Sequence, residues 1–482
     1  MNLKKILNSS FLFFDGAMGT MIQQAGLKAG EMPETFNMLH PEIIKSIHKK
    51  YIEAGCDVIT ANTFGANELK LGKSGYTVEQ VIEKAVSIAR EAAGDKMVAL
   101  DIGPTGQLIE PMGDLSFEDA YRIFARQVIV GEKAGADLIL IETISDLYEA
   151  RAAVLAAKEN SSLPVLCTMT FEQSGRTLMG TDPITMVNVL ESLGVDALGI
   201  NCSLGPAEII DVVNEILKYA TVPVMVQPNA GLPRMEGEET VYDIIPYEFA
   251  QKAKEMAEEG VVIFGGCCGT NPDFIKAVKE ALKGIKPRSP NNKRMIAASS
   301  SRKTVVLGDE IKKIGNSINP SVNERIKEAL ENNDLDYVLN EAMNQRDAGA
   351  HILFINVETM KNDELDTMLK VIKEIQSIVN LPIQIDSKNV AVIEQGLRIF
   401  NGKPVISSLN GNMDVINKMF PILKKYDVCL IINTSYDNVT AVTDAVAEKR
   451  MEYADKIIEK AKEYGIAEEN ILIDCFIPIG SV

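Results

Sequence analysis

Four times in this chain an amphipathic run ends at glycine, and one residue later an Asp or His opens an apolar run. The four places are Ala54-Gly55-Cys56-Asp57, Ala134-Gly135-Ala136-Asp137, Leu193-Gly194-Val195-Asp196 and Ala348-Gly349-Ala350-His351. Glycine suits the residue after a helix, where the backbone commonly takes a positive φ that other residues reach only against their Cβ. A second recurring signal starts strands with proline, at Leu163-Pro164-Val165, Val222-Pro223-Val224 and Leu381-Pro382-Ile383. There the missing N–H forfeits no interior ladder bond. A chain that alternates helix and strand in this way is directed to α/β folds with a parallel sheet.

The first 285 residues hold eight short apolar runs, near 11–15, 57–62, 98–102, 137–142, 164–170, 196–201, 222–227 and 261–265. They are continuous and rich in Val, Ile and Leu, as parallel strands covered on both faces must be. Asp182 with Pro183 opens one intervening helix and Gly194 closes it; Asn271 with Pro272 opens another and Gly284 closes it. Eight β–α repeats in this length predict a (β/α)8 (TIM) barrel over 1–285, with an open doubly wound sheet as the alternative. Residues 286–303 are basic and rich in Pro and Ser, which predicts a linker. The rhythm resumes over 304–482, with strands expected near 311–316, 351–356, 382–386, 404–407, 428–432 and 471–474. Six strands make this second barrel-like region incomplete, two β–α units short.

The net charge of −18 argues against a nucleic-acid or anionic-membrane partner. With no apolar run of membrane-spanning length and no secretory cleavage pattern, a cytoplasmic location is expected. Seven cysteines without regular spacing argue against a disulfide framework. Cys56, Cys167, Cys429 and Cys475 stand in apolar stretches and read as packing residues.

Polar residues gather just after the strands of the first region, the end of a barrel where sites are built. They include Asp15-Gly16-Ala17, Asn62-Thr63, Asp101, Glu142-Thr143, Thr168, Asn201-Cys202, Gln227-Pro228-Asn229 and Gly265-Gly266-Cys267-Cys268-Gly269-Thr270. An adjacent Cys267–Cys268 pair could simply be two buried cysteines on a tight loop. Cys202 changes that reading, because strands six and eight flank strand seven and their ends lie roughly 10 Å apart. Three protein thiolates leave one tetrahedral zinc position open, the arrangement of a catalytic site. Such an electron-rich shell suits the activation of a substrate thiol, which is mostly protonated at neutral pH when free. Hydrolytic zinc chemistry finds little support, since His40, His48 and His351 form no ligand motif.

The motifs Asp-Gly-Ala-Met-Gly-Thr (15–20), Ala-Asn-Thr-Phe-Gly-Ala (61–66), Asp-Ile-Gly-Pro-Thr-Gly (101–106), Gly-Ile-Asn-Cys-Ser-Leu-Gly-Pro (199–206), Pro-Asn-Ala-Gly (228–231) and Gly-Gly-Cys-Cys-Gly-Thr (265–270) occur in order. With them, residues 11–285 resemble the homocysteine-binding barrel of cobalamin-dependent methionine synthases and, more broadly, the homocysteine S-methyltransferase family. The resemblance implies zinc on Cys202, Cys267 and Cys268. It also implies a homocysteine pocket in which Asp15, the Gly16 and Ala17 amides and Glu142 hold the amino and carboxylate groups.

Residues 304–482 resemble the folate-binding, pterin-binding-like barrel that follows in methionine synthases. The resemblance rests on Ile-Gly-Asn-Ser-Ile-Asn-Pro (314–320), Ile-Asp-Ser-Lys-Asn (385–389) and Asp474, and it implies Asn319, Asp386 and Asp474 as groups facing the pterin. Asn316 and Ser317 stand where the family pattern has Glu and Arg, and Ser407, with Asn410 close behind, where it has Asn. With these departures and six strands, weak or absent methyltetrahydrofolate binding is expected. The Asp-x-His-x-x-Gly motif of the cobalamin module is absent, so cobalamin is expected in trans, on a corrinoid protein or a separate cobalamin domain. Three functional readings follow: methyl transfer to homocysteine from methylcobalamin, transfer from a small onium donor such as betaine or S-methylmethionine, and a non-catalytic scaffold using the second region.

Overall fold

The computed structural model describes residues 10–475 except 29, 73, 237–238, 309, 410–412 and 434–443. The chain divides into two compact units, Met1–Arg294 and Met295–Val482.

The first unit carries β1 (Leu12–Phe13), β2 (Val58–Thr60), β3 (Met97–Ile102), β4 (Leu138–Ile144), β5 (Val165–Met169), β6 (Ala197–Asn201), β7 (Val224–Gln227) and β8 (Ile263–Phe264). All are parallel, each paired with its neighbour in sequence, and β1 pairs with β8. A parallel bridge from Phe14 to Val58, with Asp15 N donating to Val58 O (3.1 Å), joins β1 to β2 and closes the circle. The sheet is therefore a (β/α)8 barrel, as the eight repeats predict. The strands are short because each spans only the buried thickness of the barrel. Every residue of β3, β5, β6 and β7 is buried.

The repeated Gly-x-Asp/His unit acquires a physical meaning here. Gly55, Gly135, Gly194 and Gly349 all take positive φ, at 101°, 99°, 77° and 84°. The Asp or His two residues on then clasps one residue of the preceding strand at two points. Asp57 N donates to Phe13 O (2.7 Å) while Asp57 Oδ2 accepts from Phe13 N (3.2 Å). Asp137 does the same to Val98 (2.8 and 2.8 Å), and Asp196 to Val165 (2.7 and 2.9 Å). His351 clasps Lys313, its Nδ1 accepting from Lys313 N at 3.0 Å. At the start of a parallel strand one amide faces a neighbour whose ladder has not yet begun, and the side chain supplies the acceptor it lacks.

The second unit carries six parallel strands in chain order, β11 (Ile314–Ile318), β12 (Ile352–Ile355), β13 (Ile383–Asp386), β14 (Val405–Leu409), β15 (Cys429–Asn433) and β16 (Ile471–Asp474). Among the described residues nothing pairs β11 with β16. The first of these strands begins three residues later than the apolar pattern suggests. Pairing starts only after the His351–Lys313 clasp, and Ile311 is left 94% exposed.

Part of the span read as a linker, 286–303, is ordered. β9 (Ala297–Ser299) and β10 (Thr304–Val306) form an antiparallel hairpin. Its Ala298 and Val305 pack on Ile352, Val405 and Cys429, the first residues of β12, β14 and β15. Ser299 exchanges two backbone hydrogen bonds with Lys403 (2.8 and 2.9 Å). The hairpin thus covers the N-terminal end of this sheet. The backbones come so close there that a Cβ on Gly402 would clash with Ser299 O. Cys56, Cys167 and Cys429 are buried as expected, but Cys475 is exposed, directly after β16, which is an edge strand among the described residues. No helix of the described residues is long and apolar enough to cross a membrane.

If the clasp is what holds His351 in place, aspartate should replace it as it stands in the other three units. We expect His351→Asp to leave denaturant stability within about 0.5 kcal/mol of the parent, and His351→Ala to lower it by about 0.5–1.5 kcal/mol. Guanidinium titration followed by circular dichroism distinguishes them.

Candidate metal and substrate site

The three cysteines expected to act together do meet. The Sγ atoms of Cys202, Cys267 and Cys268 all lie within 4.8 Å of one another, and Cys202 and Cys268 are 4.0 Å apart. Tetrahedral zinc with bonds of about 2.3 Å separates its sulfurs by roughly 3.8 Å, so the cluster is close to the geometry the ion needs.

What brings them together is the segment after β7, which lies between the two loops. Cys202 N donates to Gln227 O (3.0 Å), Cys267 N to Pro228 O (2.9 Å), and Ala230 N to Cys268 O (2.9 Å). Backbone torsion does the rest. Cys202 and Ser203 take φ of 60° and 55°, a left-handed turn that non-glycine residues rarely adopt and that is kept at functional sites against its cost. The glycines before the cysteine pair serve space rather than torsion. A Cβ on Gly265 would lie 2.9 Å from Gln227 Cγ, and one on Gly266 would clash with the Thr270 side chain. Thr270 is the tie between loops: its hydroxyl donates to Cys267 O (2.7 Å) and accepts from Ala17 N (3.1 Å).

Three thiols facing one another cannot ionise independently. Cys268 is drawn down to about 3 by hydrogen bonds from Cys202 and Cys267, with Tyr242 assisting. Cys202 is pushed up to about 12: a hydrogen bond with Cys267 favours its thiolate, but donation to Cys268 and burial outweigh it. Cys267 is also raised, well above its ordinary value, because it hydrogen-bonds as a thiol to both neighbours. One negative charge is thus shared by three sulfurs, a set that a thiophilic cation would complete. Tyr242, which sequence reasoning missed, packs against Gly269 and reaches this cluster from the loop beyond β7.

The expected substrate residues lie at the same barrel mouth. Asp15 is buried, and both its oxygens accept from Thr60, from the amide at 2.9 Å and the hydroxyl at 3.0 Å. Burial nevertheless raises its carboxyl to about 7. Glu142 rises to about 8, first through burial, then through the nearby Asp15 and Cys268; a hydrogen bond with Gln227 acts in the other direction. Glu142 is aimed by an irregularity in β4. The register shifts between Ile141 and Ile144, and Thr143 holds a φ of 62°. Asn201 locks that strain by accepting from Thr143 N (2.8 Å) and donating to Thr143 Oγ1 (2.7 Å). Of the two expected backbone amides, that of Ala17 is already donated to Thr270, leaving Gly16 N–H without a protein acceptor among the described residues. Asp101, near the end of β3, is among the polar strand-end residues without an expected role; it too is buried at this mouth.

In the second unit, Asp386 accepts from Asn356 Nδ2 and Ser407 Oγ, both at 2.7 Å. Asn319 donates to Asn316 Oδ1 (3.1 Å) and Asp474 ends the edge strand β16. These residues all sit at the C-terminal end of the sheet, but on strands two and three places apart from Asp386. Asn410 lies outside the described residues.

Fold and site together define a (β/α)8 barrel with a three-thiol centre beside a carboxylate-lined mouth. A family model for homocysteine S-methyltransferases matches residues 12–282, and one for pterin-binding enzymes matches 316–481. The chain belongs to the homocysteine S-methyltransferase family, a family of methyltransferase enzymes. It is 30% identical over 505 residues to the methionine synthase of Mycobacterium tuberculosis (strain ATCC 25618 / H37Rv), and 30% identical over 511 residues to that of Mycobacterium leprae (strain TN). Each alignment covers 98% of this chain and 42% of the relative, so the chain spans less than half the length of these proteins. Among solved structures, the oxidized form of an Escherichia coli homocysteine methyltransferase aligns with a TM-score of 0.49 and 24% identity, covering 58% of this chain and 97% of that one.

The raised carboxyl of Asp15 makes the stability of the barrel pH-sensitive. Native Asp15 keeps its proton up to about pH 7, whereas the unfolded chain loses it near pH 4. Between these values the native state binds more protons, so stability falls as pH rises and then levels off. Asp15→Asn can accept from the Thr60 amide at its oxygen and donate from its Nδ2 to the Thr60 hydroxyl, and it removes the charge. Without substrate it should be more stable than the parent at pH 8, by an amount on the order of a few kcal/mol that shrinks toward zero near pH 4. Denaturation midpoints across this range check it.

Proposed function

We propose that the first barrel methylates the sulfur of homocysteine to give methionine, with zinc on Cys202, Cys267 and Cys268. The three-thiol cluster, pinned through its backbone to the β7 segment, is the observation that carries this reading. Zinc held by these three cysteines would supply a soft Lewis acid that favours the thiolate form of a substrate sulfur. The protein's own groups position the rest of the amino acid. Glu142 takes the ammonium, Asp15 supports it from its Thr60 anchor, and the Gly16 amide receives the carboxylate, with Ala17 holding the loop through Thr270. Tyr242 covers the sulfurs from the side.

For the methyl donor we propose methylcobalamin, carried outside these 482 residues and charged from methyltetrahydrofolate. The second unit's match to pterin-binding enzymes and the methionine synthases among the relatives favour this over betaine or S-methylmethionine. In this chain we propose weak folate binding, because Asp386 is already held by Asn356 and Ser407 and the described sheet is open. Micromolar binding of methyltetrahydrofolate in equilibrium dialysis would overturn that part.

Metal analysis should find one zinc per chain, retained in Cys56→Ser and Cys475→Ser and lost in the Cys267→Ala, Cys268→Ala double variant. With zinc-loaded protein near pH 7, homocysteine binding should release about one proton, because the free thiol is protonated there. Calorimetry in buffers of different ionisation enthalpy measures it, and equal binding of homoserine would remove the role of sulfur. Incubation with homocysteine and each donor separately should yield methionine from methylcobalamin; methionine from betaine or S-methylmethionine alone would change the donor.

A further inference from the structure

Five buried or half-buried carboxylates surround the mouth of the first barrel: Asp15, Glu34, Asp101, Glu142 and Glu149. Four of them have a protein donor. Asp15 has Thr60, Glu34 accepts from Gly65 N at 2.6 Å, Glu149 accepts from Thr105 N (2.7 Å) and Oγ1 (2.6 Å), and Glu142 has Gln227. Asp101 is the exception. It is 7% exposed, and its Oδ1 is buried with no hydrogen-bond partner among the described residues.

Its direction follows from the strand. Leu100 packs so closely on Gly131, in the helix Phe117–Ala134, that a Cβ on that glycine would meet its side chain. Leu100 therefore points outward, and alternation turns Asp101 into the lumen. There it faces Glu142 and Asp15, whose charges oppose its ionisation after burial itself, with Glu34 next. The cation whose charge favours its ionisation is Lys70, which also acts on Glu34 and Glu149; among the described residues no ion pair within 4 Å joins it to any of them. A buried carboxylate left without a donor is costly unless something that is bound later completes it.

We propose that Asp101 is a further substrate-binding residue, whose free oxygen receives the ammonium of the amino-acid substrate opposite Glu142. Asp15, with both oxygens occupied by Thr60, serves as the support of that subsite. The inference rests on the homocysteine reading and sharpens it: the site selects a thiol that carries an α-ammonium. A primary ammonium has three N–H donors, and two carboxylates from β3 and β4 can take them from different sides.

The test uses the zinc-loaded 482-residue chain and three thiols: homocysteine, 4-mercaptobutyrate, which lacks the amine, and 3-aminopropane-1-thiol, which lacks the carboxylate. Calorimetry compares the parent with Asp101→Asn. The expected result is a loss of about ten- to a hundredfold in affinity for the two amine-bearing thiols, with 4-mercaptobutyrate changed less than about threefold. Zinc content equal to the parent's certifies the fold. If D101N loses zinc, Asp101→Ser is judged by the same ratio between thiols. Equal affinity of parent and variant for homocysteine overturns the inference, as does an equal loss for all three thiols, which would mark a structural role. A parent that binds none of the thiols overturns the homocysteine reading and the inference with it.

Discussion

The two-point clasp at the start of the strands is the interaction on which the rest of this chain depends. A parallel strand carries no register information in its ladder alone, because a slip by one residue leaves the hydrogen bonds possible and reverses every side chain. Asp57, Asp137 and Asp196 remove that freedom by binding both the N–H and the C=O of one residue in the strand before. Each aspartate also has a basic neighbour, Lys96, Arg90 or Lys158, on its exposed side. With the register set at one end, the other end is set as well. Asp101, Thr168, Asn201 and Gln227 then arrive inside the mouth rather than among the helices.

What gathers there is poor for stability. Buried carboxylates raised to about 7 and 8 stand beside three thiols that share one charge. Thr143, Cys202 and Ser203 hold left-handed torsions that each cost of order 1–3 kcal/mol. The surroundings over-determine all of these. Asn201 holds Thr143, the β7 segment holds both cysteine loops, and Thr270 joins the cysteine loop to the Asp15 loop. Acidic groups crowded in this way are stabilised by whatever positive charge is brought among them.

The second unit applies the same rules with one clasp, His351, and a different closure of its lower end. The hairpin of β9 and β10 fills the space under β12, β14 and β15 with alanine and valine. Ala298 and Val305 belong to one buried cluster with Ile352, Val405 and Cys429, so a segment of linker-like composition is part of the core.

The sequence by itself determined the element order, the eight-strand barrel, the strand ends that carry polar groups and the three cysteines that would meet. Local chemistry writes these features: helix-ending glycine, strand-opening aspartate, apolar runs of fixed length. It also determined too much in places, since Cys475 reads as a packing residue and lies exposed, and residues 297–299 read as linker and form a strand. Only the tertiary structure decided which polar groups are already spent. Asp15 and Ala17 bind Thr60 and Thr270, residues 45 and 253 positions away, and Asp101 alone is left without a donor at Oδ1 among the mouth carboxylates. A hydrogen-bond partner is a matter of distance in space, and sequence spacing carries no record of it.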